Sequence, residues 1–340
     1  MFGEQLVTKM WDTLVKGGIG SLASPWQIKR EGRAHAEVRR DEMLMLAQAE
    51  VEAKAIKEGR KKLLSDGKLI ELHQDIDSHD PSCYLGRVEP TLVIEKILSN
   101  IEQQKKAENI QSEININKTI LMTEEELSNS QTPPPKEDIN IDWLYRWRDY
   151  ASQTENEDLR RLWARTLAGE TMCPGTYSMR TLDFIKNLSQ DEAISISKLG
   201  MFTTAKILFK SDTLNSNDID FEFLLQMEDL GIISGVQGGN VSSLEAIMKS
   251  NHTDKFSNQI INKNRILLIH SDDPKKEVKL PIYKVTKLGE DILSLGDFKA
   301  NDDFMRDIGH KIKQQGFEVT LATWLQTTTE YGNYFNPELI

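Results

Sequence analysis

The residue types best suited to metal chemistry lie in one short segment, from His73 to Cys83. The segment contains imidazole, carboxylate and thiol groups, which are the ligand types that zinc and similar ions prefer. These side chains are His73, Asp75, Asp77, His79, Asp80 and Cys83. Their spacing matches neither a zinc finger nor a His-Glu-x-x-His motif, and the glycine that a calcium loop needs at its sixth position is missing. We interpret the segment as a polar surface loop, with metal binding as the alternative, and we predict no cofactor.

A second set of chemically suitable residues lies in the middle of the chain: Glu157, Arg165, Glu170 and Arg180. They would form a buried polar site if the fold brought them together. Charged residues near helix ends usually interact with the helix dipole or form surface ion pairs, and we favour that interpretation. The chain also has no Gly-rich phosphate loop followed by lysine and no Gly-x-Ser-x-Gly motif. The sequence therefore assigns no catalytic residue.

A third set is basic and borders two β-prone runs, 265–270 and 281–285. It consists of Lys263, Arg265, Lys275, Lys276 and Lys279. A helix, a glycine and a hairpin in this order resemble a winged helix, whose wing would place these residues on DNA phosphates. The helix at 221–231 is acidic and would repel DNA, so packing or protein contact is the favoured role. A DNA-binding regulator that uses the 263–285 hairpin is the alternative function.

The segment from Asp142 to Leu199 carries the second set of residues, and it has the strongest helical pattern in the chain. Its apolar residues recur at helical spacing, and Cys173-Pro174-Gly175 predicts a turn between helices. Ser189 and Glu192 have the spacing of a capping box. We predict four short helices with a core formed by Trp143, Trp147, Leu159, Leu162, Trp163, Leu167, Leu182 and Ile185.

The sequence pattern of the N-terminal region predicts two helices that must pack against other parts of the protein or against another chain. Residues 2–15 form an amphipathic pattern that favours packing on the same domain, with peripheral membrane contact as the alternative. Residues 26–64 are rich in alanine and alternating charge, so they lack the bulk to fold alone. We expect this long helix to form a homo-oligomer, although its heptad pattern is irregular.

Three prolines in the polar stretch 124–138 predict an extended linker. We therefore divide the chain into an N-terminal assembly arm (1–123), this linker, a central helical module (139–200) and a C-terminal α+β region (201–340).

The formal net charge of -11 argues against indiscriminate binding of nucleic acid. Cys83 and Cys173 show no ligand spacing, so we expect free thiols. Charged residues interrupt the first apolar stretch, and no run is long enough to span a bilayer. We expect a cytoplasmic protein.

Part of this sequence resembles a known family. The motifs are Leu162-Trp163-Ala164, Leu167-Ala168-Gly169-Glu170, Pro174-Gly175-Thr176-Tyr177-Ser178 and Arg180-Thr181-Leu182. They are similar to the signature of an uncharacterised bacterial family, domain of unknown function 2806. Ser24-Pro25-Trp26-Gln27-Ile28 and the basic helix after it resemble that family and abortive-infection alpha-type proteins. The resemblance implies a bacterial or phage-related source and an association with defence against phage, and it brings no catalytic residues.

These observations predict a mainly α fold with long N-terminal helices, a central helical module and a small winged-helix-like C-terminal part. The leading function is a non-enzymatic oligomeric interaction protein, a component or sensor in phage defence that binds a protein partner. The winged-helix DNA-binding regulator is the second hypothesis. An enzyme acting on nucleic acid or nucleotides is the third.

Overall fold

The computed structural model of the chain describes residues 2–19, 35–64, 66–71, 94–128, 130–204, 206–237, 244–327 and 331–340. Contacts group the chain into two compact units, Met1–Leu182 (unit 1) and Asp183–Ile340 (unit 2). The predicted Ser24–Ile28 helix start and the His73–Cys83 loop lie outside the described residues.

Helices dominate unit 1. They are α1 (Phe2–Lys16), α2 (His35–Lys57), α3 (Ile94–Ser128), α4 (Ile141–Ser152), α5 (Glu157–Met172) and the start of α6 (Met179–Asn187). A short antiparallel hairpin of β1 (Lys61–Leu63) and β2 (Leu69–Glu71) follows α2. Polar side chains begin two of the helices: Asn140 accepts from the backbone N–H groups of Asp142 and Trp143, and Asn156 accepts from that of Leu159.

Helix α3 is at the centre of unit 1, because it contacts α1, α2, α4 and α5. Its residues Ile114, Ile116 and Ile120 are almost fully buried. The N-terminal turns of the same helix expose Ile97 and Ile101. The α3 residues before Pro133 therefore belong to the core of this unit.

The predicted linker, 124–138, overlaps the end of α3, which continues to Ser128. Beyond the helix, the Lys9 ammonium group of α1 donates to the carbonyl oxygen of Pro135, at 2.5 Å, and to that of Glu137. The two compact units place the predicted arm, the linker and most of the central module together. The predicted domain boundaries themselves stay a prediction.

Unit 2 mixes helices and strands. After α6 its elements are α7 (Gln190–Gly200), β3 (Ile207–Phe209), α8 (Asp212–Ser216), α9 (Phe221–Asp229), β4 (Ile233–Ser234), β5 (Glu245–Met248), β6 (Phe256–Asn262), β7 (Arg265–Ser271), β8 (Val278–Val285), α10 (Lys287–Ser294), α11 (Asp302–Lys313), β9 (Glu318–Gln326) and β10 (Gly332–Leu339).

Two antiparallel sheets organise these strands. The first has the order β10-β9-β7-β6, and the second has the order β3-β8-β4, with β5 also paired to β8. Helix α11 packs against β7, β8 and β9, and its residues Phe304, Ile308 and Ile312 are buried. Several residues of β7 and β9, such as Ile269 and Val319, are buried as well.

The predicted mainly α class is wrong, because the described residues form three antiparallel sheets as well as helices. The sequence pattern missed most of this β-structure. Strand β10 is exposed along nearly its whole length, so it lacks the alternation of apolar and polar residues that identifies a half-buried strand. Strands β5 and β6 come from a stretch rich in polar residues between Gly235 and Asn264.

The predicted hairpin between 263 and 285 is also wrong. Strand β7 pairs with β6 and β9, whereas β8 pairs with β3, β4 and β5. Adjacent β-prone runs need not pair with each other when other strands offer a better match in register. None of the helices in the described parts of the chain combines the length and apolar character needed to cross a bilayer.

Candidate functional site

A polar cleft in unit 1 lies among α2, α3 and the connection from α4 to α5. Its volume is about 820 Å³. The lining residues that matter for its chemistry are Glu50, Lys54, Lys57, Glu58, Glu108, Gln111, Ser112, Asn115, Gln153, Glu155 and Arg160.

The walls of the cleft are fixed by packing and by one ion pair. Leu46 and Ala53 of α2 pack in one apolar cluster with Ile114 and Leu121 of α3. Next to this cluster, the ammonium group of Lys118 lies 2.7 Å from a carboxylate oxygen of Glu50. Small side chains on α2 allow the two helices to approach closely, so the polar residues at their edges are held in place.

Arg160 lies deepest among the charged groups of the cleft, with only 7% of its surface exposed. Its Nη2 atom donates to the carbonyl oxygens of Thr154 (3.3 Å) and Glu155 (3.1 Å), and to Oδ1 of Asn115 (3.4 Å). Asn115 in turn donates to the carbonyl oxygen of Ser152 at 2.9 Å. These bonds position the α4–α5 connection at one side of the cleft.

The guanidinium group of Arg160 is incompletely satisfied. Its Nε atom is buried and has no hydrogen-bond partner among the residues that the structure describes, and no ion pair joins Arg160 to a carboxylate there. Burial lowers the pKa of Arg160, and the charges of Glu50, Glu157 and Glu155 partly oppose that shift. A buried cation of this kind is a binding group for an acceptor.

The second set of residues singled out in the sequence does not form one site. Glu157 pairs loosely with Arg161 at 3.8 Å, and Arg165 pairs with Glu126 at 3.0 Å. Arg180 is exposed. Of these four residues, only Glu170 is buried. Its carboxylate accepts hydrogen bonds from the turn that follows its helix.

Glu170 closes the turn that carries the family-like motif. Its two carboxylate oxygens accept from the backbone N–H groups of Gly175, at 2.6 Å, and Tyr177, at 3.0 Å. The indole of Trp143 donates to the Tyr177 carbonyl oxygen at 2.9 Å, and the Tyr177 ring lies against Gly169. A side chain at Gly169 would meet that ring, so the motif residues have packing roles.

The predicted core of the central module has two parts. Trp143, Trp147, Trp163, Leu167, Leu182 and Ile185 are buried, whereas Leu159 and Leu162 are partly exposed. The indole of Trp147 donates to the backbone carbonyl oxygen of Trp163 at 3.0 Å, which ties α4 to α5. The indole N–H groups of Trp143 and Trp147 both have backbone acceptors, so the burial of these side chains leaves neither donor unsatisfied.

The five basic residues predicted to contact DNA lie at opposite ends of β7. At one end, Arg265 bonds Asp302 (2.7 Å) and Thr323 (3.1 Å), and burial lowers the pKa of Lys263. At the other end, Lys276 donates to the Gly316 carbonyl oxygen at 2.9 Å.

Lys279, beyond Lys276, lies near Glu277, and Lys275 is exposed. The seven residues of β7 span roughly 20 Å, so the structure does not gather the basic residues into one patch. The DNA-binding hypothesis stays a prediction.

Helix α2 exposes a row of apolar side chains on the side away from α3. Met43, Leu44, Met45 and Val51 are 53–67% exposed, whereas Leu46 and Ala53 of the same helix are buried. Leu44, the exposed Ala47 and Val51 lie on one side of the helix because residues three, four and seven apart share a face. We refer to Leu44, Ala47 and Val51 as the α2 row.

Sequence reasoning missed the cleft. Its residues come from three separated stretches, and only tertiary packing brings Lys54, Gln111 and Arg160 to one place. Within the described residues, no group of three or more His, Cys, Asp or Glu side chains is arranged to hold a metal ion.

Residues 99–213 match the model of a family described as a protein of unknown function (DUF2806). This match confirms the resemblance to a domain of unknown function. It covers the α3, α4 and α5 walls of the cleft and leaves α2 outside. No curated protein and no solved structure shows significant similarity to the chain.

Proposed function

We propose that this chain is a non-enzymatic interaction protein that associates with further copies of itself through α2. The observation that carries the proposal is the α2 row, with Leu44 60% and Val51 67% exposed. The opposite side of the same helix is packed on α3. When another apolar surface covers large exposed apolar residues of a helix, the free energy of the system falls, so the association is stabilised.

A second copy of α2 is a suitable occupant for this surface. Ala47 lies between the two larger residues of the row, and a small central residue lets two helices approach closely. The exposed residues beside the row carry both signs of charge, as Arg40, Asp41 and Lys54 show. Two copies related by a two-fold axis would therefore not repel each other strongly through like charges.

We further propose a bacterial, cytoplasmic setting and a role as a component or sensor in phage defence, acting with a protein partner. What supports this part is the resemblance of the motifs at Leu162–Leu182 and Ser24–Ile28. Its test is the plating efficiency of phage on a bacterial host that expresses the chain. The proposal expects fewer plaques with the natural chain, and no loss of plaques relative to an empty host would contradict it.

The experiment for self-association is sedimentation velocity of the full chain across a concentration series. We expect a concentration-dependent mass above that of one chain, which the double substitution Leu44→Glu and Val51→Glu reduces to a monomer. A matched control places the same charges at two exposed apolar residues of unit 2, Leu244→Glu and Ile247→Glu, and keeps the larger mass. A monomer at every concentration would refute self-association.

These substitutions are sharper than removing the N-terminal region. A deletion of all residues before Pro133 would also remove Ile114 and Ile120 from the core of unit 1. Its effect on mass would then reflect unfolding as much as a lost interface.

A further inference from the structure

Arg160 is a buried cation whose hydrogen bonds all go to uncharged oxygen atoms. Removing a charge from water is costly unless a counter-ion or a full set of hydrogen bonds replaces the water. Here the three acceptors are two backbone carbonyl groups and Asn115, at 3.1–3.4 Å. The Nε atom has no partner at all in the described part of the chain. The cleft next to Arg160 is therefore short of one acceptor.

The carboxylates of the cleft do not supply that acceptor, because most are bonded elsewhere. Glu50 pairs with Lys118, as described above. Glu58 accepts from Arg60 at 2.7 Å, and Glu108 accepts from Gln104 at 3.2 Å. Two of the four acidic residues of the lining, Glu50 and Glu58, are thus paired with cations outside the cleft, whereas Glu108 and Glu155 keep their negative charge.

Two lysines at the edge of the same cleft are available to a ligand. Lys54 and Lys57 are exposed and stand three residues apart on α2, which places them on one side of the helix. Neither has a hydrogen bond or ion pair with a residue that the structure describes. Together with Arg160 they provide three cationic groups around one cavity.

We propose that this cleft binds a small organic phosphate of about mononucleotide size, with its phosphate oxygens held by Arg160, Lys54 and Lys57. Guanidinium and ammonium groups both bind phosphate through charge-assisted hydrogen bonds. The cavity volume of about 820 Å³ lies within the usual range of small-molecule sites.

The remaining lining suits the organic part of such a ligand. Gln111, Ser112 and Gln153 offer both donors and acceptors in the same cavity. A long polyanion is a poorer occupant, because the chain carries a net charge of -11. A compact ligand presents its phosphate to the cations without bringing further negative charge against the rest of the surface.

Equilibrium dialysis of the full chain tests the proposal, with the four ribonucleoside 5′-monophosphates, the matching nucleosides and inorganic phosphate as probes. We expect saturable binding of at least one monophosphate and none of its nucleoside. The substitutions Lys54→Gln and Lys57→Gln together should weaken binding about tenfold or more. Both lysines are exposed, so this variant should remain folded.

The matched control is Lys105→Gln with Lys136→Gln, which removes the same charge at exposed positions outside the lining. It should bind as the natural chain does. An equal loss in this control would show that only net charge matters and would overturn the proposal, as would the absence of saturable binding for every probe. If inorganic phosphate binds as tightly as the monophosphates, the oxyanion site stands and the organic part of the proposal is wrong.

A second variant tests the buried residue directly. Arg160→Lys keeps the positive charge but shortens and narrows the donor group, so we expect weaker binding with the fold retained, as judged by circular dichroism. Unchanged affinity for the monophosphate would show that Arg160 does not bind its phosphate. The inference does not rest on self-association, because the single substitution Leu44→Glu, about three helical turns from Lys54, should leave monophosphate binding intact.

Discussion

Glu170 in unit 1 and Glu228 in unit 2 hold the turn that follows their helix through the same kind of contact. Glu170 accepts from the backbone N–H groups of Gly175 and Tyr177. Glu228 accepts from those of Gly235, Val236 and Gln237, at 2.6–3.0 Å. Both turns use a glycine with positive φ, 86° and 96° respectively, a conformation that side chains with a Cβ atom disfavour.

The two turns differ in what surrounds the carboxylate. Glu170 is 2% exposed and lies beneath Tyr177, whose own carbonyl oxygen is held by Trp143. Glu228 is only partly buried, and water reaches its turn. Water can replace the lost bonds of Gly235 and Gln237, which are exposed, but not that of Tyr177, which is buried. We therefore expect burial, rather than the number of hydrogen bonds, to decide how much each glutamate stabilises its unit.

The largest effect is expected for Glu170→Ala. This change leaves the buried N–H group of Tyr177 without its acceptor, at a cost of about 3 kcal/mol in the free energy of unfolding, whereas the N–H group of the exposed Gly175 can bond to water. Urea unfolding followed by tryptophan fluorescence measures it. Glu170→Gln keeps one acceptor oxygen and should lose less. If Glu170→Ala were as stable as the natural chain, the buried hydrogen bonds of Glu170 would not stabilise unit 1.

Gly169→Ala should come next. A Cβ atom at this position would lie 2.6 Å from Cε2 of Tyr177, and the buried ring has little room to move. We expect a loss of about 2 kcal/mol in the free energy of unfolding. In a chain that also carries Tyr177→Leu, the same glycine substitution should cost clearly less. Strict additivity of the two substitutions in urea unfolding would show that the ring is not the obstacle.

Glu228→Ala should have a small effect although it removes more hydrogen bonds than Glu170→Ala does. Gly235 and Gln237 are exposed, so solvent can hydrate two of the three freed N–H groups, and we expect a loss of about 1 kcal/mol. Hydrogen exchange should quicken at residues 235–237. Glu222→Ala, at an exposed position on the same helix, is the control and should leave that exchange unchanged. A loss of stability as large as that of Glu170→Ala would contradict the expectation that burial decides how much each glutamate stabilises its unit.

The smallest effect concerns pH. Burial acts to raise the pKa of Glu228, but the bonds from Val236, Gln237 and Gly235 outweigh it and hold the pKa below the ordinary value of 4.5. The stability that this carboxylate contributes is therefore present above its unfolded pKa and is lost as the pH falls through the lower, folded pKa. Carbon-13 NMR of the side-chain carboxyl follows the titration, with Glu228→Gln to assign the signal. A midpoint at or above 4.5 would contradict the hydrogen bonding described here.

Local rules predicted several features of the helical region correctly. Ser189 and Glu192 form the capping box that their spacing indicates, with both reciprocal hydrogen bonds present. Cys173-Pro174-Gly175 lies in a turn with Gly175 at positive φ. At the start of α4, Asn140 provides the capping oxygen. Such features depend on residues close together in the chain, so the sequence contains the information they need.

Strand pairing was beyond those local rules. Strand β7 has the β-prone composition that the sequence indicated, but its pairing with β6 and β9 depends on register, and α11 packs against β7 and β9. β10 gave no strand pattern, since nearly all of its residues are exposed on both faces. The incorrect class and the incorrect hairpin have this common origin.

The sequence by itself determined the Ser189–Glu192 capping box, the Cys173-Pro174-Gly175 turn, the aromatic residues of the central module and the acidic net charge, because each depends on residue type and short spacing. Only the tertiary structure decided which strands pair, that Glu170 is buried while Glu157 is exposed, and that Arg160 shares a cleft with Lys54 and Lys57. The physical reason is that burial and the partners of a charge depend on elements distant in the chain, which meet only when the apolar faces of α2, α3 and α5 pack together.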